Sequence, residues 1–92
     1  MINMEEETLE KIKKYESVKN SMQIYKERLI KAETSINNAI SYLNQSKDSV
    51  CINGYISTLN NIKQNITSNK NKIIYTIIPS IDIKIKELKM NM

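Results

Sequence analysis

The 92-residue sequence has little of what most folds need: one Gly, one Pro, one Cys, and no Trp, Phe or His. A single glycine and a single proline leave few tight turns, which argues against sandwiches, barrels and doubly wound sheets. One cysteine cannot form an internal disulfide, and without histidine the usual zinc sites and His-based triads are excluded. The sequence therefore predicts an all-α protein of long helices, with no catalytic group, metal or cofactor.

No part of the sequence is predicted to cross a membrane. The longest nearly apolar stretch, residues 73–78, is interrupted by Thr76 and is far shorter than the roughly 18 residues that a span requires. The first residues are acidic where a secretory signal peptide would be basic, so no classical signal is predicted. We expect a cytoplasmic protein without membrane insertion, whose export would need another address.

A seven-residue apolar repeat predicts the first helix at about residues 4 to 46. Its first line is Tyr15, Met22, Leu29, Ile36 and Leu43, and Val18 and Tyr25 lie three residues after the first two members. Charged residues lie between these positions, as in an amphipathic helix. At about 1.5 Å per residue, this helix would be roughly 60 Å long.

The repeat breaks at about residues 47 to 53, which predicts a turn that leads into a second helix at about residues 54 to 90. The turn ends in Ile52, Asn53 and Gly54. The apolar repeat of the second helix consists of Tyr55, Leu59, Ile62, Ile66 and Ile73. Together, the two repeats form what we call the predicted seam of an antiparallel, coiled-coil-like, two-helix hairpin.

The end of the second helix is predicted to be irregular. From Ile74 the apolar line shifts by one position, as in a coiled-coil stutter. Pro79 removes a backbone donor and disfavours the helical conformation of Ile78, so a kink is predicted near Pro79, and Ser80 can cap the helix that follows. The alternating residues 81–86 also fit a strand, but the helix-favouring residues after them make a helix the preferred interpretation.

Apolar residues outside the predicted seam indicate that another protein covers part of the hairpin. They are Ile24, Ile30 and Ile40 in the first helix and Ile74, Ile77, Ile81, Ile85 and Leu88 in the second. A chain of this size gains roughly 3–5 kcal/mol from one core, and one facing helix cannot cover all these residues. We therefore expect a non-enzymatic interaction module within an intermolecular helical bundle, with a protein partner rather than nucleic acid.

The chain resembles the WXG superfamily, small helical hairpins exported by type VII secretion systems. Ile52, Asn53 and Gly54 lie where that superfamily has its Trp-x-Gly turn, with Ile in place of the Trp. Within the superfamily the chain is most similar to the small helical partners of LXG toxins, which end in Ile- and Leu-rich helices like residues 81–88.

The resemblance implies an adaptor that binds the helical N-terminal domain of an LXG-type effector, in a heteromer that can include a second small helical protein. It also implies an export motif at Ile78 and Asp82, which have the spacing of the aromatic-x-x-x-Asp signal with Ile in place of the aromatic residue. In that case the protein itself could be exported by the type VII system.

Two other functions stay open from the sequence. A cytoplasmic or phage coiled-coil structural protein would use the same repeats to form homo-oligomers. A weak nonspecific nucleic-acid binder would use Lys63, Lys70 and Lys72, although one Arg and no base-reading motif argue against it. The partner discriminates between the first two functions, because an adaptor forms a heteromer and a structural coiled coil is self-sufficient.

Overall fold

The computed structural model describes residues 4–46 and 52–92, and these residues are almost entirely helical. The elements are α1 (Met4–Gln45), α2 (Ile52–Lys72), a π-helical segment (Ile73–Ile77) and α3 (Ile78–Met90). The last three are joined end to end into one kinked second helix. The predicted all-α class is thus confirmed for the described residues, and residues 81–86 lie in a helix rather than in a strand.

The helix ends differ from the predicted turn. α1 begins at Met4 with three glutamates in its first turn, where negative charge complements the helix dipole. α2 already begins at Ile52, so Asn53 and Gly54 belong to its first turn instead of to a loop. Gly54 has no positive φ, and an added Cβ would meet nothing within 4 Å, so its position does not require glycine. The rest of the predicted turn, residues 47–51, lies outside the described residues.

The two helices lie side by side in a hairpin-like arrangement. Ile12, near the start of α1, packs with Ile81 and Ile85, near the end of α3. Further along, Glu33 of α1 is hydrogen-bonded to Thr67 of α2. The whole chain measures 70 × 16 × 15 Å, so it is a rod two helices wide.

The core is thin. Ile12, Leu29, Ile73, Ile81 and Ile85 are the apolar side chains exposed by 9% or less among the described residues. Tyr15, Met22 and Leu88 are partly buried against the cluster formed by Ile12, Ile81 and Ile85. Each helix of a two-helix layer can bury only one narrow stripe, so the rest of its surface stays open.

The π segment shifts by one residue the set of side chains that face α1. Up to Ile73 the half-buried or buried positions recur at alternating intervals of three and four residues: Leu59, Lys63, Ile66, Lys70 and Ile73. A regular helix would continue this series with Ile77, Ser80, Lys84 and Glu87, all of which are exposed. Because the N–H of Ile78 donates to the carbonyl of Ile73, five residues back, the series continues instead with Ile78, Ile81, Ile85 and Leu88.

Burial of these side chains outweighs the cost of the irregular turn. Full burial of one Ile contributes about 1.5–3 kcal/mol, whereas one backbone hydrogen bond contributes about 0.5–1.5 kcal/mol net. The one-position shift in the apolar repeat is the sequence counterpart of this turn, because the repeat carries one extra residue.

The irregular backbone lies before Pro79 and not at it. Pro79 is in the first turn of α3, where a missing N–H is tolerated. The residue before α3 is Ile77, so Ser80, predicted as the cap, lies inside the helix. Its hydroxyl donates to the carbonyl of Thr76 at 2.6 Å, which supplies a donor in the turn that contains the proline.

Candidate interaction surface

The first predicted line of α1 faces the second helix; of the positions three residues after its members, Ala32 and Ala39 are half-buried and the two large side chains are exposed. Tyr15, Met22, Leu29, Ile36 and Leu43 are buried or half-buried. Val18 and Tyr25, predicted beside them, are 47% and 45% exposed. The interface is completed instead by residues four positions after each member of the first line, namely Lys19, Lys26, Glu33 and Ile40, together with Ile12.

The second helix shows the same difference. Leu59, Ile66 and Ile73 are half-buried or buried, as the seam requires, whereas Tyr55 and Ile62 are 61% and 44% exposed. Their places are taken by Ile56, Lys63 and Lys70, which are half-buried. Of the positions that complete the interface on the two helices, four are lysines and one is Glu33. An apolar repeat therefore could not identify most of them.

Glu33 explains why polar residues line this side of the interface. Its carboxylate accepts a hydrogen bond from Lys70 Nζ at 2.7 Å and a second one from the hydroxyl of Thr67. The side chains of Glu33 and Lys70 are only 14% and 21% exposed. These two hydrogen bonds, with that of Lys70 the stronger cause, lower the pKa of Glu33 from its ordinary value of 4.5.

A second ion pair joins the helices closer to the end of the hairpin. Lys19 Nζ lies 2.5 Å from the Asp82 carboxylate, on the same side of the interface as Glu33. Asp82, predicted as part of an export motif, is therefore paired within the chain. Ile78, the other residue of that motif, begins α3 and is half-buried against α1.

The residues predicted to bind a partner divide into three groups. Ile24, Ile30 and Ile77 are 52%, 42% and 38% exposed and open to a second protein. Ile40, Ile74 and Leu88 are half-buried. Ile81 and Ile85 are 8% exposed, and lie in the core rather than on an outer face, because the π segment turns them toward α1.

The interface leaves two long open sides, which we name the basic flank and the mixed flank. In α1 the basic flank holds the positions three and six residues after each member of the first line, continued by sevens toward the start of the helix, and the mixed flank holds those one and five residues after it. The same offsets apply in the second helix to a line through Ile52, Leu59 and Ile66 and, after the π segment, to one through Ile74, Ile81 and Leu88. Lys11, Lys14, Val18 and Lys84 line one common groove, which places α1 and α3 residues of the basic flank together. The Lys19–Asp82 and Glu33–Thr67 contacts mark the opposite side of the rod.

Large apolar side chains are concentrated on the basic flank. Those exposed by 38% or more are Met4, Val18, Tyr25, Tyr42, Tyr55, Ile62 and Ile77. On the mixed flank the corresponding residues are Leu9, Ile30 and Tyr75. The basic flank also holds Ala32 and Ala39, which are half-buried and lie between Tyr25 and Tyr42 along α1.

The two flanks also differ in charge. The basic flank carries the cations Lys11, Lys14, Arg28 and Lys84, and two acids, Glu7 and Glu87, near the open end of the hairpin. The mixed flank carries Lys13, Lys86 and Lys89 together with Glu6, Glu16, Glu27 and Asp82. A surplus of positive charge thus lies on the same side as the apolar stripe.

One end of the basic flank is concave. Tyr15, Val18 and Leu88 contribute apolar surface to a groove of about 370 Å³, and Lys11, Lys14 and Lys84 surround it. Apolar surface ringed by charge of one sign is typical of a site for an amphipathic segment. Within residues 4–46 and 52–92, no group of three His, Cys, Asp or Glu side chains is placed to hold a metal ion.

No known protein family, curated protein or solved structure matches this chain. Among its described helices, none combines the length and the apolar character that crossing a membrane would require.

Proposed function

We propose that this chain is a non-enzymatic helical interaction module that is completed by helices of a protein partner. The observation that carries the proposal is the contrast between a core of only five side chains exposed by 9% or less and a larger number of exposed apolar side chains on the outside of the rod. A large exposed apolar surface is typical of protein interfaces. In this proposal the rod is an antiparallel, coiled-coil-like hairpin, kinked near Pro79, that docks into a larger intermolecular bundle.

The proposed partner is the helical N-terminal domain of an LXG-type effector, for which the chain would act as a type VII secretion adaptor. The support for this partner is the resemblance in length, in hairpin-like form and in the Ile-rich end of the second helix. Ile78 and Asp82 lie one turn apart in α3, the spacing at which a secretion component could read a motif from a helix.

Co-expression with its chromosomal neighbours tests the proposal. We expect light scattering after size exclusion to show a stable heteromer with an LXG-type N-terminal domain, and an aggregating or unstable chain alone. A clean homodimer or homotetramer that ignores every neighbour would contradict the adaptor and favour the structural coiled coil.

A pair of variants shows whether the observed interface supports complex formation. Leu29→Asp places a charge at a position only 9% exposed, so helicity and complex formation should both fall. Thr34→Asp makes the same addition at an exposed position of the same helix and should leave both intact. If Leu29→Asp behaves like Thr34→Asp, the interface is misassigned.

A further inference from the structure

We infer that the basic flank binds an acidic amphipathic helix, which lies lengthwise over the stripe formed by Val18, Tyr25, Ile62 and Ile77. This inference rests on the proposed function and names the surface and the chemistry of the partner. It begins from the coincidence, on one side of the rod, of exposed apolar side chains and unbalanced positive charge.

The shape of the stripe fits a helix. Its half-buried members Ala32 and Ala39 have small side chains, and Tyr25 and Tyr42, which flank them along α1, are 45% and 74% exposed. A recess between two side-by-side helices accepts the apolar ridge of a third one. The groove at Tyr15, Val18 and Leu88 is such a recess, at the open end of the hairpin.

The charges of the basic flank determine which kind of partner helix can bind there. Between Lys11 and Lys84, the described positions of the basic flank hold no Asp or Glu. A helix with Asp and Glu beside its apolar stripe would bring negative charge close to Arg28 and to the three lysines around the groove, Lys11, Lys14 and Lys84. Complementary charge of this kind sets specificity and association rate more than affinity.

The same charges argue against two other occupants. A second copy docked through this flank would place its cations against those of the first copy, which is unfavourable. An anionic membrane would suit the charge, but helices that insert into an interface present Trp, Phe or Leu as projecting groups. This chain has no Trp and no Phe.

The test uses the full chain and two synthetic helical peptides of four heptads, with Leu and Ile in the apolar positions. One peptide carries Glu beside the apolar stripe, and the other carries Lys at the same positions. We expect the Glu peptide to bind at least tenfold more tightly than the Lys peptide in fluorescence anisotropy, and its binding to weaken as salt rises. Equal binding of the two peptides, or no binding of the Glu peptide, would overturn the inference.

Matched charge reversals locate the surface. Lys14→Glu with Lys84→Glu should weaken binding of the Glu peptide at least tenfold, because both cations line the groove of the basic flank. Lys13→Glu with Lys86→Glu makes the same change in net charge on the mixed flank and should change the affinity less than twofold. An equal loss from both pairs would mean that only net charge matters.

Matched apolar variants test the stripe itself. Ile62→Ser removes a side chain that is 44% exposed on the basic flank, and Ile30→Ser removes one that is 42% exposed on the mixed flank. We expect only Ile62→Ser to weaken binding of the Glu peptide, with the circular dichroism spectrum of both variants unchanged. Tighter binding to phosphatidylserine vesicles or duplex DNA than to the Glu peptide would overturn the inference in favour of those ligands.

These outcomes separate the two proposals. If the chain forms a heteromer with an LXG-type domain and Lys14→Glu with Lys84→Glu leaves that heteromer intact, the surface assignment fails and the adaptor function stands. If the Glu peptide binds as expected but no neighbour forms a heteromer, the secretion role fails and the surface assignment stands.

Discussion

Deleting one residue from the π segment tests whether that segment exists to keep Ile81 and Ile85 in the core. Tyr75 lies in the segment, and its side chain is 75% exposed. Without it, Ile78 follows Ile73 at four residues instead of five, so a regular α-helix presents the same later side chains to α1. The deletion is made in a Pro79→Ala background, since proline inside a regular helix costs about 3 kcal/mol or more.

The control deletes Ile83, whose side chain is 60% exposed, in the same Pro79→Ala background. Ile83 lies between the two buried residues, so either Ile81 or Ile85 must turn away from α1 whichever way the helix adjusts. Each is 8% exposed, and loss of one buried Ile costs about 1.5–3 kcal/mol. At about 4–8 °C per kcal/mol for a domain of this size, the Tm should fall by about 6 °C or more.

Thermal and urea unfolding followed by circular dichroism give the readout. The deletion of Tyr75 should leave the free energy of unfolding unchanged or raise it by up to about 1 kcal/mol, since a regular hydrogen bond is regained. The reasoning is refuted if the deletion of Tyr75 destabilises as much as that of Ile83, or if the deletion of Ile83 is tolerated.

Three further substitutions test the core, the half-buried ion pair and the start of α2. Ile73→Val, at 3% exposure, should cost about 0.5–1.5 kcal/mol in urea unfolding, whereas Ile24→Val, at 52% exposure, should stay within about 0.5 kcal/mol; equal effects would contradict the assigned core. The two hydrogen bonds of Glu33 lower the pKa of its carboxyl group. The ionised Glu33 therefore stabilises the fold above pH 4.5, and this contribution is lost as the pH falls through the lowered pKa. Glu33→Gln should therefore lower the free energy of unfolding at neutral pH. On acidification, this variant should lose less stability than the exposed control Glu27→Gln. Parallel dependence of unfolding free energy on pH in the two variants would contradict the assignment. Gly54→Ala should stabilise the protein by about 0.5–1 kcal/mol in thermal unfolding, since Gly54 is helical and an added Cβ meets nothing. A loss of stability would instead favour the predicted turn at this position.

The sequence by itself determined the helical content and the first line of the interface. Helix formation follows from local properties, namely the scarcity of Gly and Pro and the seven-residue spacing of Tyr15, Met22 and Leu29. The one-residue shift after Ile73 was also visible, because an extra residue in an apolar repeat is a property of the sequence alone. The sequence did not show that this shift takes the form of a π turn, or that Ile81 and Ile85 face inward.

Only the tertiary structure decided which residues lie beside that first line. An apolar pattern favours Val18, Tyr25 and Ile62, yet the interface turns toward Lys19 and Glu33. Glu33 is held by Lys70, 37 residues later, and Lys19 by Asp82, so the rotation of each helix depends on contacts between groups far apart in the chain. That rotation leaves the apolar stripe and the surplus of positive charge on the same open side, because turning the polar companions inward turns the apolar ones out.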